Sequence, residues 1–249
     1  MTPFFQKHWQ SIRFDSITAT SSRALAGPAF YDAFYRELFK RYRSYDDLDA
    51  QWRLDKADTA RWLAERIPDG ARVLSIGAGL GYVERCMQAE HGARMELHVQ
   101  DFATEALRWL RDVLPPDRFH APGTGPVQEG LLKFDVAYLC AVEYALDDGS
   151  LESLLREVRG MLREGGKCVL ISVSLEQARS QLGAASRASK ELVKSVLEHL
   201  GLYDRGQLWG WQRQRSEFHA LLLGAGFTSL EDGFIQTPTQ KTYFIEGRD

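Results

Sequence analysis

The 249-residue chain contains no asparagine, so it carries no N-glycosylation sequon. It has only three cysteines, Cys86, Cys140 and Cys168, an odd number with no CxxC spacing. That excludes a disulfide scaffold and a cysteine-based zinc site, and predicts reduced thiols in the cytoplasm. Positive charge is not in excess: 31 Lys and Arg stand against 34 Asp and Glu, a formal charge of -3. No broad basic field is available to neutralise phosphates, so no nucleic-acid partner is expected. No apolar run approaches the roughly 18 residues of a membrane span. The first residues, MTPFFQKHWQSIRFDS, lack the apolar stretch of a signal peptide. His8, His91, His98 and His199 have no HxxxH or His/Asp company, and no metal is expected.

Glycine, aromatic residues and a regular alternation are what the chain does have. Residues 1–54 are rich in rings, and over 28–43 Phe30, Phe34 and Leu38 recur with Tyr31, Tyr35 and Phe39 at helical spacing. From residue 54 a helix is predicted up to Pro68-Asp69-Gly70. Strands are predicted at 72–76, 94–100, 118–121, 134–139 and 167–173, with helices at 80–88, 104–114 and 151–162 between them. Strands alternating with helices mean βαβ units and a parallel sheet covered on both faces. Residues 175–215 read as a mostly helical insertion after the fifth strand. A helix at 216–223 and strands at 227–234 and 241–246 close the chain, the last strand turning antiparallel. The apolar stripe Ala188, Leu192, Val196 with Val193, Leu197 and Leu200 predicts packing, on the domain or on a second copy in a homodimer. The expected organisation is an N-terminal helical cap, 1–54, over a catalytic domain, 55–249.

The most informative segment is Val73-Leu74-Ser75-Ile76-Gly77-Ala78-Gly79-Leu80-Gly81: a strand, a glycine turn and a helix start. Glycine permits a sharp turn and lets backbone approach a ligand, and the helix N-terminus offers amides to an anion. A dinucleotide fingerprint GxGxxG would need glycine at 82, where Tyr82 stands. The GxGxG spacing instead resembles motif I of class I S-adenosylmethionine-dependent methyltransferases. Twenty residues after Gly81, the second strand ends in Asp101-Phe102. An acid at that strand tip can accept from both ribose hydroxyls of a nucleoside. Phe134 to Asp148 resembles the fourth strand of the same family, and 162–167 resembles its LxPGG turn with Glu164 in place of proline.

The resemblance implies a Rossmann-like seven-stranded sheet, mostly parallel, with N-terminal helices and an insertion after strand 5. It implies S-adenosylmethionine as methyl donor and S-adenosylhomocysteine as product. The donor-binding residues would be Ser75, Gly77, Ala78, Gly79, Gly81, Tyr82, Asp101, Phe102 and Cys140. Three positions depart from the family pattern. Ser75 replaces the acid that often precedes the glycines. No aspartate follows the third strand in Phe119-His120-Ala121-Pro122-Gly123. Ala145 takes the place of a common histidine.

Methyl transfer needs positioning and exclusion of water, and a base only for some acceptors. Glu143, His120 and His219 are the candidate bases. Tyr31, Tyr35, Tyr144, Trp209, Trp211 and Arg213 are the candidate acceptor contacts, because rings stack and guanidinium groups clamp polar or acidic groups. The expected acceptor is a small molecule or glycan, methylated at oxygen. No Asn/Asp-Pro-Pro-Tyr/Phe motif follows the fourth strand, in keeping with a non-nucleic-acid acceptor. The competing readings are an NAD-dependent oxidoreductase and a non-catalytic donor-binding or scaffold protein.

Overall fold

The protein is described by a computed structural model covering residues 1–103, 105–123, 130, 132–176, 193–194 and 196–249. Its centre is a seven-stranded sheet in the order β10-β11-β8-β7-β4-β5-β6. The strands are β4 (Ala71–Ile76), β5 (Met95–Gln100), β6 (Phe119–His120), β7 (Phe134–Cys140), β8 (Leu162–Ser172), β10 (Ser229–Gln236) and β11 (Lys241–Arg248). All neighbours pair in parallel except β11, which runs antiparallel to both β8 and β10. The expected fold class is therefore the observed one.

Each central strand reads as a near-continuous apolar run because both faces are covered. Along β4, Val73 packs into one cluster with Ala60, Leu63, Val83 and Met87, while its neighbour Leu74 packs into another with Leu151, Leu155, Phe218 and Leu222. The first cluster is supplied by helices α2 (Ala50–Ala64) and α3 (Tyr82–His91), the second by α4 (Asp148–Met161) and α5 (Arg215–Gly224). Start signals are local. Asp49 accepts from the Trp52 amide at 2.7 Å, and Asp147 accepts from the Ser150 amide at 2.7 Å. Such caps stabilise a helix by about 1 kcal/mol each.

A third cluster joins the N-terminal segment to the sheet. Helix α1 (Pro28–Arg41) begins with proline at its first turn and buries Phe30, Tyr31, Phe34, Tyr35 and Leu38. These pack with Ile12, Phe14, Leu80, Ala106 and Trp209. The domain boundary expected at 54/55 falls inside α2.

Three expectations are corrected here. Residues 1–54 are not purely helical, and the insertion is not mostly helical at its end. Strand β1 (Thr2–Gln6) pairs antiparallel with β9 (Gln207–Gln212), setting Phe4 against Gly210. A short hairpin of β2 (His8–Trp9) and β3 (Ile12–Arg13) follows. Also, 105–114 forms turns and a single 3-10 turn, Leu110–Asp112, rather than a helix. Most of its amides bond three residues back, as from Arg108 to Glu105 and Leu110 to Leu107, while Arg111 and Leu114 bond four back, to Leu107 and Leu110. Residues 177–192 and 195, including Ala188 and Leu192 of the predicted stripe, lie outside the described residues. Val193, Val196 and Leu200 are exposed. No helix among the described residues is long and apolar enough to cross a membrane.

Candidate active site

The C-terminal ends of β4, β5 and β7 open into a cavity of about 370 Å³, with the N-terminal segment and β9 above it. This is where an open α/β sheet binds ligands, because the chain diverges there from one strand to helices on either side.

The floor is the glycine turn. Gly77, Gly79 and Gly81 all have left-handed backbone, with φ of 69°, 56° and 73°. A Cβ on Gly77 would run into the Val142 side chain, and one on Gly81 would lie 2.7 Å from Leu110. A Cβ on Gly79 would meet the Tyr35 hydroxyl at 3.1 Å. The spacing is thus needed for conformation and for close approach. One Asp101 oxygen accepts from the Gly79 amide at 2.8 Å, and the other accepts from the Ala103 amide at 2.8 Å. Burial pushes the Asp101 carboxyl above its usual value, partly opposed by these amides. Phe102 beside it is 42% exposed, so its ring is available to a ligand.

Beneath the turn lies a buried carboxylate that the motif does not contain. Glu84, in the first turn of α3, accepts on Oε1 from the Ser75 hydroxyl at 2.6 Å and the Tyr138 hydroxyl at 2.7 Å. Its Oε2 has no hydrogen-bond partner although buried, and Glu84 lines the cavity. Burial pushes the Glu84 carboxyl up, against the pull of the two hydroxyls and Lys56. Lys56, on α2, reaches the same cavity and donates to Cys140 Sγ at 3.5 Å.

The roof is aromatic. Trp209 stacks on Phe14 with centroids 4.7 Å apart and lies 5.4 Å from Tyr31. Tyr144 stacks on Trp209 at 6.3 Å, and Phe4 meets Tyr144 edge-on at 5.7 Å. Tyr31 also touches Phe102 edge-on at 5.5 Å, which joins roof to floor. Burial pushes the hydroxyls of Tyr31, Tyr35 and Tyr144 up, so all three are protonated donors at neutral pH. Gly210 fits between the tryptophans because a Cβ there would collide with the Tyr144 carbonyl.

The cavity brings together Gly77, Ala78, Gly79, Gly81, Tyr82, Asp101, Phe102 and Cys140 with Tyr31, Tyr35, Tyr144 and Trp209. The remaining sequence-predicted residues do not line it. Ser75 is buried behind Glu84. Arg213, fully buried, pairs with Asp148 at 2.8 Å and donates to the carbonyls of Glu143 and Leu146. It holds the turn after β7 rather than facing the cavity. Trp211 sits on β9 opposite Pro3. His120, the last residue of β6, faces His98 of β5 at 2.8 Å, and burial pushes both imidazoles down. His219 of α5 pairs with Asp232 of β10 at 3.0 Å. Glu143 is fully buried, its carboxyl raised by burial, and it accepts from the Ser174 hydroxyl at 2.9 Å. Ser174 is the cavity-lining member of that pair. The sequence reading missed Lys56, Glu84, Ser174, Gln6, Gln212 and Gln240 on the wall. For Glu84 a signal existed: with no acid at 75, the first turn of the following helix was the place to look.

Residues 44–231 match a family described as a methyltransferase domain. The chain belongs to that family, and the class I S-adenosylmethionine-dependent resemblance holds. No curated protein matches by sequence. Among solved structures, an assigned O-methyltransferase of Nostoc punctiforme PCC 73102 superposes with a TM-score of 0.59 at 16% identity, covering 94% of this chain and 64% of that one. Human N-acetylserotonin methyltransferase, in complex with S-adenosylmethionine, gives 0.52 at 18%, covering 89% and 56%. Magnesium protoporphyrin IX methyltransferase of Synechocystis PCC 6803, with bound S-adenosylhomocysteine, gives 0.53 at 18%, covering 89% and 98%. The chain thus spans less than two thirds of the first two. At these identities the likeness is one of fold.

Proposed function

We propose that this chain transfers a methyl group from S-adenosylmethionine to a hydroxyl of a small, flat, uncharged acceptor held beneath the aromatic roof. The carrying observation is the division of the cavity. Its charged groups, Asp101, Glu84 and Lys56, all sit on the glycine-turn side, while the roof offers rings and neutral hydroxyls. A floor with charge suits a nucleoside bearing an amino acid. Its cradle fits that donor, since Asp101 stands at the β5 tip for ribose hydroxyls and Phe102 beside it for a base. The donor supplies an activated methyl on a sulfonium, so the protein's work is orientation and exclusion of water. Trp209, Tyr31 and Tyr144 would stack on the acceptor ring and fix its oxygen. A proton leaving that oxygen would reach Glu143 through the Ser174 hydroxyl. The family membership and the GxGxG turn, with no glycine at 82, dispose of the NAD-dependent reading.

The test combines binding and turnover. S-adenosylhomocysteine should bind with a dissociation constant near 1 μM, about -8 kcal/mol. Asp101→Ala should weaken it by roughly 1.5–3 kcal/mol, since a charged acceptor is lost. Labelled methyl should then pass to phenols in a panel that also holds glycosides, peptides and RNA. Absence of binding sinks the donor assignment. Transfer to glycosides alone moves the acceptor class to glycans, and binding without any transfer leaves a non-catalytic donor-binding protein.

A further inference from the structure

Resting on the donor assignment above, a further role follows for two residues outside the glycine motif. In the sheet, β4 lies between β5 and β7, so Asp101 and Cys140 flank the glycine turn on opposite sides. The β5 side holds Asp101 and Phe102. The Cys140 side has Lys56, whose ammonium reaches the sulfur. Glu84 lines the same cavity, is 2% exposed, and keeps Oε2 free of any hydrogen-bond partner. A buried carboxylate oxygen left unsatisfied costs free energy until a donor reaches it. Lys56 feels Glu84 electrostatically, yet no ion pair joins them among the described residues. One free acceptor of negative charge and one half-buried cation, on one wall, match a ligand carrying both an ammonium and a carboxylate.

The geometry points to Glu84 Oε2 as acceptor of the donor's α-ammonium and to Lys56 as partner of its α-carboxylate. The acid absent from position 75 is thereby supplied from the first turn of the next helix. Ser75 then has a positioning role: its hydroxyl and that of Tyr138 both hold Oε1, which leaves Oε2 as the oxygen still able to take a donor. Burial, which disfavours the lone carboxylate, is offset when an ammonium arrives.

Calorimetric titration of the whole chain with three ligands separates this role from others. S-adenosylhomocysteine carries the amino acid, 5′-methylthioadenosine lacks it, and decarboxylated S-adenosylmethionine keeps only the amine. Glu84→Gln, which can still accept from Ser75 and Tyr138, should weaken S-adenosylhomocysteine about tenfold or more. It should leave methylthioadenosine within about twofold. Lys56→Met, at a half-buried surface position, should weaken S-adenosylhomocysteine similarly and spare the decarboxylated ligand. Equal losses for all ligands, or no loss for S-adenosylhomocysteine in either variant, overturn the clamp while leaving the donor assignment standing. If the wild type binds neither S-adenosylhomocysteine nor methylthioadenosine, the donor assignment falls and the clamp with it.

Discussion

The floor and the roof of the cavity are built in opposite ways. The floor comes from neighbours in sequence. Gly77 to Glu84 spans one strand-to-helix turn, and Asp101 follows at the tip of the adjacent strand. Its shape rests on backbone: three left-handed glycines and the amides that bind Asp101. The roof comes from residues about two hundred positions apart, with Phe4 of β1 paired to Gly210 of β9 and Trp209 stacked on Phe14. Its shape rests on side-chain packing. A backbone-built surface tolerates few substitutions but holds one geometry. A side-chain-built surface can be re-cut for a different acceptor without disturbing donor binding.

The sharpest way to break that comparison is at Gly77. Valine there must adopt a left-handed backbone, at about 1–2 kcal/mol, and displace Val142, at roughly 1–3 kcal/mol. Chemical denaturation should show a loss of ~2–5 kcal/mol; a variant of native stability would mean that the turn is not backbone-limited.

Arg213 comes next. Arg213→Met should cost about 2–4 kcal/mol of stability, because the Glu143 and Leu146 carbonyls lose their buried donor. Donor affinity of the folded fraction should be unchanged. A stable variant with a raised acceptor KM would restore Arg213 to the ligand-binding role that its sequence context suggests.

In the roof, Tyr31→Phe and Tyr144→Phe should each cost ~0.5–1.5 kcal/mol in kcat/KM for the acceptor, with S-adenosylhomocysteine affinity unchanged. Loss of donor affinity in these variants would erase the distinction between roof and floor.

The smallest effect is a slope. Burial raises the folded-state Glu84 carboxyl above the usual 4.5, so the folded protein keeps that proton longer than the unfolded chain. The stability tied to that proton is full below about pH 4.5 and is lost as pH rises through the folded value. Without ligand, Glu84→Gln should therefore gain on wild type as pH rises above 4.5, by less than ~1.4 kcal/mol per pH unit. Denaturation curves at several pH values check this, and a stability difference independent of pH would count against a raised Glu84 carboxyl.

The floor was legible because its causes are short-range. Alternating apolar strands and helices prescribe the parallel sheet, and GxGxG marks a turn that other residues cannot make. The antiparallel β11 was legible too, from two terminal strands with a turn between them. The roof was not. Residues 207–212 pair with the chain's first strand, and nothing near them in sequence announces that partner. The helical reading of 104–114 failed over the described 105–114: its periodicity is real, and Ala106, Leu107 and Leu110 are buried, but most amides bond three residues back, with four-residue bonds from Arg111 and Leu114 that do not run on into a helix.

Sequence alone determined the sheet, the glycine turn and the placing of Asp101, since each depends on local backbone preference and on spacing along adjacent strands. Tertiary structure alone decided which polar groups meet the cavity. It chose Glu84 over Ser75 and Trp209 over Trp211, and it turned Arg213 inward onto two carbonyls. A side chain's partner is settled by whatever segment packs against it, and here the segments that pack over the site, the N-terminal one and β9, lie about two hundred residues apart.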